Sequence, residues 1–127
     1  MANLLIVDDT ADSREVLAKF LAHAGHEVEQ APNGREALRS ILNRTPDLVI
    51  LDLLMPEMDG PSLLEILRSY LRLQSLPVIV WTAYPDSPVA HRATRQGILA
   101  LFQKGKTSFA EINQRVSDLF PPSRDQN

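Results

Sequence analysis

Residues 3–9 read NLLIVDD, a short apolar run that ends directly in two aspartates. Two later runs follow the same plan. Residues 47–51 (DLVIL) lead into Asp52, and residues 77–81 (PVIVW) lead into Thr82. Nearly continuous apolar runs of this length are typical of strands buried on both faces, as in a parallel sheet. The chain is therefore predicted to contain buried parallel strands that each end in a polar side chain.

The polar ends of these strands are predicted to meet in space. A further apolar stretch, residues 98–102, is followed closely by a lysine. Ligands of open parallel sheets bind beyond the carboxyl ends of the strands. Clustered carboxylates repel each other unless a cation joins them. We therefore expect a metal site in one crevice, formed by Asp8, Asp9, Asp52, Thr82 and Lys104.

The composition is that of one globular domain. The chain has 127 residues, of which 44% are hydrophobic, and a net charge of -3 that is too small to indicate nucleic-acid binding. The absence of cysteine excludes disulfides and thiolate metal sites, and no apolar run is long enough to span a bilayer. The amino terminus lacks the pattern of a signal peptide. We expect a cytoplasmic protein with no direct nucleic-acid or membrane partner.

Helical and strand periods alternate along the chain. This alternation favours right-handed crossovers and a parallel α/β sheet with helices on both faces. The fourth helix has a thin apolar stripe and is expected to pack least firmly. One domain is expected over residues 1–120, followed by a solvated tail at residues 121–127. The predicted helical stripes lie within residues 16–24, 37–42, 63–70, 89–96 and 109–119, and residues 27–30 form a short strand candidate.

The predicted site has the chemistry of phosphoryl transfer. Oxygen ligands without cysteine or a histidine cluster favour a hard cation, Mg²⁺ or Mn²⁺. Lys104 offers a point charge and Thr82 a hydroxyl to phosphoryl oxygens. Asp52 is then free to attack phosphorus, as carboxylates do in covalent phosphoryl transfer.

Four motifs stand at the ends of the predicted strands: the acidic pair Asp8-Asp9, DLLMPEMDG at residues 52–60, Thr82-Ala83, and Lys104 seven residues after Gly97. Together they resemble the receiver domain of two-component response regulators, over residues 3 to about 120. The resemblance implies a flavodoxin-like (βα)5 fold, a doubly wound parallel sheet of five strands in the order 2-1-3-4-5. The segment at residues 52–60 is the most specific of these motifs.

The resemblance also implies roles for individual residues. Asp52 is expected to be the phosphoacceptor, and Thr82 and Lys104 are expected to contact the phosphoryl group. The implied donor is a sensor histidine kinase or a histidine phosphotransfer protein. The implied Mg²⁺ ligands are Asp8, Asp9, Asp52 and the backbone carbonyl of Leu54.

We therefore expect a stand-alone receiver whose phosphorylation switches its binding to another, unknown protein. Such a protein is not an enzyme beyond promoting its own phosphorylation and dephosphorylation. A homodimer through the face formed by the fourth helix, the last strand and the last helix is a further possibility that the family suggests.

Two departures from the family pattern affect the expected switch. The family usually has Phe or Tyr three residues before the lysine, where this chain has Leu101, and Phe102 comes one step later. Gly105 follows the lysine where the family often has proline. The aromatic half of the usual switch is therefore in doubt, and the alternative is a pseudo-receiver scaffold that signals without phosphorylation.

Two other classes of protein fit the sequence less well. A phosphatase of the haloacid-dehalogenase type needs a second aspartate two residues after the nucleophile, and Leu54 occupies that position. A flavin- or nucleotide-binding module needs a glycine-rich loop after the first strand, which is missing. Trp81 is expected in the core. Tyr84 and Leu54 are expected beside the phosphoryl group, where they would shield it from water.

Overall fold

The computed structural model describes residues 2–121, in which five strands alternate with five helices. All strand pairs are parallel, and the strand order is β2-β1-β3-β4-β5. The predicted flavodoxin-like fold is therefore confirmed. The strands are β1 (Asn3–Val7), β2 (Glu27–Ala31), β3 (Leu48–Leu51), β4 (Val78–Thr82) and β5 (Ala100–Gln103). The helices are α1 (Ala11–His23), α2 (Gly34–Asn43), α3 (Gly60–Ser69), α4 (Pro88–Arg95) and α5 (Phe109–Leu119), with a 3-10 helix at Leu71–Leu73 after α3.

Side-chain caps fix where most of the helices begin. In α2 to α5 the side chain of the residue before the first turn accepts a hydrogen bond from the backbone N–H of the third helical residue, which satisfies a donor that the helix leaves free. The cap of α5 lies directly before residue 109, where the apolar stripe of this helix was predicted to begin. The capping residues are Asn33, Asp59, Ser87 and Ser108.

The sheet separates two apolar cores, one on each face. The three central strands are almost wholly buried, whereas the edge strands β2 and β5 are partly exposed. Alternate residues of each strand enter opposite cores. In β4, for example, Val80 packs toward α2, α3 and α4, and Trp81 packs toward α1 and α5. This burial on both faces explains why the strands read as continuous apolar runs.

Several boundaries and faces differ from the sequence-based expectation. The last strand begins at Ala100, because Ile98 and Leu99 form the connection in front of it. Tyr70 directly follows α3 and Leu119 ends α5, and both are exposed although they belong to the predicted apolar stripes of these helices. A helix terminus continues the apolar period beyond the part that the core covers. The predicted tail lies, from residue 122 onward, outside the described residues.

The fourth helix packs through small side chains, as its thin apolar stripe predicted. Within α4, only Ala90 and Ala93 are fully buried, and Val89 is half-buried. Two alanines contribute little apolar contact area compared with the leucines of α3. None of the helices within residues 2–121 is long and apolar enough to cross a membrane.

Gly60 is needed for the close approach of α3 to the end of β3. A Cβ atom at this position would lie 2.6 Å from Leu53 Cδ2 and 2.9 Å from Leu53 Cα. The Gly60 amide also donates a hydrogen bond to the Leu53 carbonyl at 2.9 Å. The glycine therefore holds the loop after Asp52 tightly against the strand from which that aspartate emerges.

Candidate functional site

Backbone hydrogen bonds align the ends of β1, β2 and β3. The Asp52 amide donates to the Val7 carbonyl at 2.9 Å, and the Asp8 amide donates to the Ala31 carbonyl at 3.1 Å. These bonds continue the parallel ladders and place the two aspartates side by side at the carboxyl edge of the sheet. One carboxylate oxygen from each of Asp8, Asp9 and Asp52 lies within 4.8 Å of the other two. The predicted convergence of the three acids is confirmed.

Lys104 is brought to the same edge by the neighbouring ladder. Its amide donates to the Thr82 carbonyl at 2.8 Å, which aligns the end of β5 with the end of β4. Its Nζ atom lies 2.7 Å from Asp8 Oδ2 and 3.4 Å from Asp52 Oδ2. The lysine side chain is only 18% exposed, so this cation bridges two carboxylates in a largely desolvated setting.

Asp8 is held by groups from the loop and first turn of α1. Its Oδ1 accepts a hydrogen bond from the Thr10 amide at 2.9 Å, and its Oδ2 accepts one from Ser13 Oγ at 2.8 Å. The Arg14 guanidinium donates to the backbone carbonyl of Asp8 at 2.8 Å. Ser13 is a site residue that the sequence motifs do not indicate. Its one available signal was a small hydroxyl in the first turn after the acidic pair.

Asp52 is buried and carries an unusual pKa. Its Oδ1 accepts a hydrogen bond from the Leu53 amide at 2.8 Å, and the residue is 6% exposed. Burial raises the pKa of Asp52 to about 6, the repulsion of Asp8 adds to this, and the attraction of Lys104 opposes it. The attraction of Lys104 therefore does not cancel the cost of burying the Asp52 carboxylate. A hard divalent cation fits this excess of negative oxygen atoms, which is the donor set that Mg²⁺ prefers.

Thr82 is the last residue of β4, the strand that pairs with β3 in the sheet. The residue is 1% exposed, and its Oγ1 accepts a hydrogen bond from the Tyr84 amide at 3.2 Å. Because the amide uses a lone pair of the oxygen, the hydroxyl proton remains available for another acceptor. Leu54 and Tyr84 are exposed at the rim, at 44% and 62%.

The two departures noted in the sequence have clear structural consequences. Leu101 packs against the core under α3 and α4, whereas Phe102 packs on the other face of the sheet, so the aromatic ring cannot replace the one that the family has at position 101. Gly105 adopts a φ of 82°, which glycine tolerates without strain. The turn is closed by a bond from the Gln103 amide to Thr107 Oγ1 at 3.1 Å.

The sequence profile of the response regulator receiver domain family matches residues 4–117, which is most of the chain. The chain belongs to this family. Receiver domains are signalling domains of two-component systems, and they generally accept phosphoryl groups and bind Mg²⁺ at an acidic cluster such as the one formed here by Asp8, Asp9 and Asp52.

Individual relatives of this receiver differ in length. An uncharacterised 14.6 kDa protein of Leptolyngbya boryana is 38% identical, and the match covers 94% of this chain and 93% of that protein. The DNA-binding transcriptional regulator NtrC of Escherichia coli is 40% identical over 72% of this chain, but the match spans only 19% of NtrC. The similarity to NtrC is therefore confined to about a fifth of that protein.

Solved receiver structures share the fold. The receiver domain of NtrX from Brucella abortus has a TM-score of 0.82 and 28% identity, covering 94% of this chain and 99% of that one. The chemotaxis protein CheY4 of Vibrio cholerae has a TM-score of 0.84 and 26% identity, covering 93% of this chain and 98% of that one.

The raised pKa of Asp52 predicts that Asp52→Asn stabilises the Mg²⁺-free protein at alkaline pH. The folded-state pKa of about 6 lies above the ordinary value of 3.8, so the stability associated with protonated Asp52 is present at low pH and is lost as pH rises through about 6. At about pH 8 the variant should gain about 1 to 3 kcal/mol in free energy of unfolding. Urea denaturation in EDTA measures this difference.

The same titration supplies its own control. At about pH 4, where the wild-type carboxyl is protonated in the fold, the difference between wild type and Asp52→Asn should largely vanish. Mg²⁺ should reverse the order at high pH, because it binds the folded wild type. A variant that is less stable than wild type at high pH in EDTA would contradict this account of the site.

Proposed function

We propose that this receiver is a phosphorylation-controlled switch whose phosphoacceptor is Asp52. The observation that carries the proposal is the position of that carboxylate. It lies beside Asp8 and Asp9, within reach of the Lys104 ammonium, and at the end of a strand that the Gly60 contact holds in place. This arrangement provides a nucleophile, a cation site and a charge for the phosphoryl oxygens at one edge of the sheet.

The proposed reaction is a direct transfer of a phosphoryl group. An Asp52 carboxylate oxygen forms a bond to phosphorus, and the bond from phosphorus to the histidine nitrogen of the donor breaks, so that an acyl phosphate is produced and the donor histidine is released. Bound Mg²⁺ would neutralise charge on the transferring group. Asp8, Asp9, Asp52 and the Leu54 backbone carbonyl would hold that ion, or Mn²⁺ in its place.

Lys104 and Thr82 are proposed to detect the new group. The phosphoryl group brings strong acceptors and added negative charge to a buried position. Lys104 Nζ already lies 3.4 Å from Asp52 and needs only a small shift to reach a phosphoryl oxygen. The Thr82 hydroxyl donates to another. Movement of Thr82 would displace the loop to α4, the helix whose fully buried side chains are two alanines.

The partners follow from this reaction. A sensor histidine kinase or a histidine phosphotransfer protein is the proposed donor, and a downstream protein that binds the altered surface is the proposed target. A homodimer through the α4–β5–α5 face and a cytoplasmic location remain predictions. The proposal that the receiver acts alone is supported by the Leptolyngbya boryana relative, which the match covers over 93% of its length. Catalysis is limited to its own phosphorylation and dephosphorylation.

Acetyl phosphate with Mg²⁺ is expected to phosphorylate the wild-type protein once. Intact-mass analysis should show the gain of one phosphoryl group, since a small donor needs only an accessible acceptor and the cation. Asp52→Asn should show no gain, and Asp47→Asn should behave as wild type because Asp47 lies at the opposite end of β3 and bonds to the Asn3 amide. An unmodified wild type would favour the pseudo-receiver scaffold.

Tyr84 is predicted to lengthen the lifetime of the phosphorylated state. Its side chain is 62% exposed at the rim, next to Thr82, where it would obstruct an attacking water. Tyr84→Ala should therefore speed the loss of the phosphoryl group by about threefold to tenfold, the effect of a modest change in water access. Tyr70→Ala provides the matched control, because Tyr70 is an exposed tyrosine at the far end of α3. Equal lifetimes in both variants would refute shielding by Tyr84.

A further inference from the structure

The ammonium of Lys104 has a second neighbour that the proposed function does not use. Its Nζ atom lies 4.7 Å from the centroid of the Trp81 ring, in addition to its contacts with Asp8 and Asp52. An indole face attracts a cation more strongly than the other aromatic rings do, and the attraction grows when both groups are shielded from water. Trp81 is 3% exposed, so this contact is shielded.

Trp81 is itself held by other aromatic rings. Its ring meets Phe109 of α5 edge to face at a centroid distance of 6.1 Å, and Phe109 meets Phe20 of α1 at 5.6 Å. Edge-to-face contact is a favourable geometry for aromatic pairs. A continuous series of contacts therefore runs from Lys104 through Trp81 to two helices on the same face of the sheet.

The indole N–H of Trp81 is not used to fix the ring. Within residues 2–121, Nε1 is the buried side-chain polar atom for which no protein acceptor is found. Buried indole N–H groups usually have a partner, so one without a protein acceptor calls for an explanation. The ring is placed by packing and by the ammonium, and it can shift without breaking a hydrogen bond to the protein.

We propose that Trp81 is a positioning residue for Lys104, and that contact between its ring and the ammonium links phosphorylation of Asp52 to Phe109 and Phe20. This inference rests on the proposed function. The indole contacts the ammonium in addition to the two carboxylates and keeps it within reach of both. When Lys104 moves toward the phosphoryl group, the ring loses part of its cation contact and repacks against Phe109.

This role offers a substitute for the aromatic residue that the family has at position 101. Leu101 faces the core under α3 and α4, whereas Trp81 faces α1 and α5. The aromatic response in this chain is therefore directed to the other side of the sheet. Trp81, Phe109 and Lys104 all line a surface cleft between α1 and the turn after β5, so repacking there would alter an accessible surface.

A double-mutant cycle tests whether Trp81 acts through Lys104. The rate of phosphorylation by acetyl phosphate with Mg²⁺ is measured by intact mass in wild type, Trp81→Leu, Lys104→Met and the double variant. Trp81→Leu should slow the wild type by at least about threefold, but should slow Lys104→Met by less than about twofold, because the supported group is already absent. Trp81→Phe keeps an aromatic face and should retain most of the rate.

Phe102→Leu is the matched control for loss of a ring from the same core. Phe102 pairs with Trp81 in the β4–β5 register and packs in the same apolar cluster. The Phe102→Leu substitution should leave the phosphorylation rate unchanged. Equal slowing by Trp81→Leu in both lysine backgrounds would overturn the inference while wild-type phosphorylation still upheld the proposed function. A wild type that gains no phosphoryl group would overturn both.

Fluorescence provides a second readout that does not depend on a folded Trp81 variant. Trp81 is the single tryptophan of the chain, so all indole emission reports on this ring. Its emission should change on phosphorylation of the wild type and should change much less in Lys104→Met that has been phosphorylated to the same extent by mass. The same emission change in both proteins would overturn the link through Lys104.

Discussion

One ammonium shared by two buried carboxylates is the interaction on which the site depends. Lys104 Nζ lies 2.7 Å from Asp8 and 3.4 Å from Asp52, and all three groups are largely removed from water. Three carboxylates face this single ammonium, and burial raises the pKa of Asp52. A divalent cation would stabilise this arrangement of charges, and a phosphoryl group would rearrange it. Each of them changes the charge that Lys104 faces.

The rest of the fold keeps these groups in register. Parallel ladders carry Asp8, Asp52, Thr82 and Lys104 to one edge, and backbone bonds across the strand ends fix their order. The most deeply buried part of the molecule is the triplet of central strands, which has apolar cores on both faces. The more loosely packed part is α4. A change at this edge can therefore shift α4 at small cost, because the apolar side chains that anchor that helix in the core are two alanines and the half-buried Val89.

The central strands and the aspartates at their ends were predictable from the sequence. Strands buried on both faces appear as continuous apolar runs, and the aspartates directly follow those runs. The ends of helices were less predictable, as Tyr70 and Leu119 show, because an apolar period does not reveal where the core stops. Ser13 was missed because a serine in a first helical turn usually serves the helix. The cation contact of Trp81 was not predictable for another reason. It depends on the register between β4 and β5, which pairs Trp81 with Phe102, two residues before Lys104. That register is set by the sheet rather than by local sequence.

The central claim, that Asp8, Asp9 and Asp52 together hold one divalent ion, is tested most directly by titrating Mn²⁺ and following the electron paramagnetic resonance signal of the free ion. The account predicts one bound ion per chain and a loss of at least about tenfold in affinity for Asp9→Asn, the exposed member of the cluster. Asp12→Asn, an acid in the first turn of α1 outside the cluster, should bind as wild type does. Absence of binding by the wild type, or equal affinity in the two variants, would contradict it.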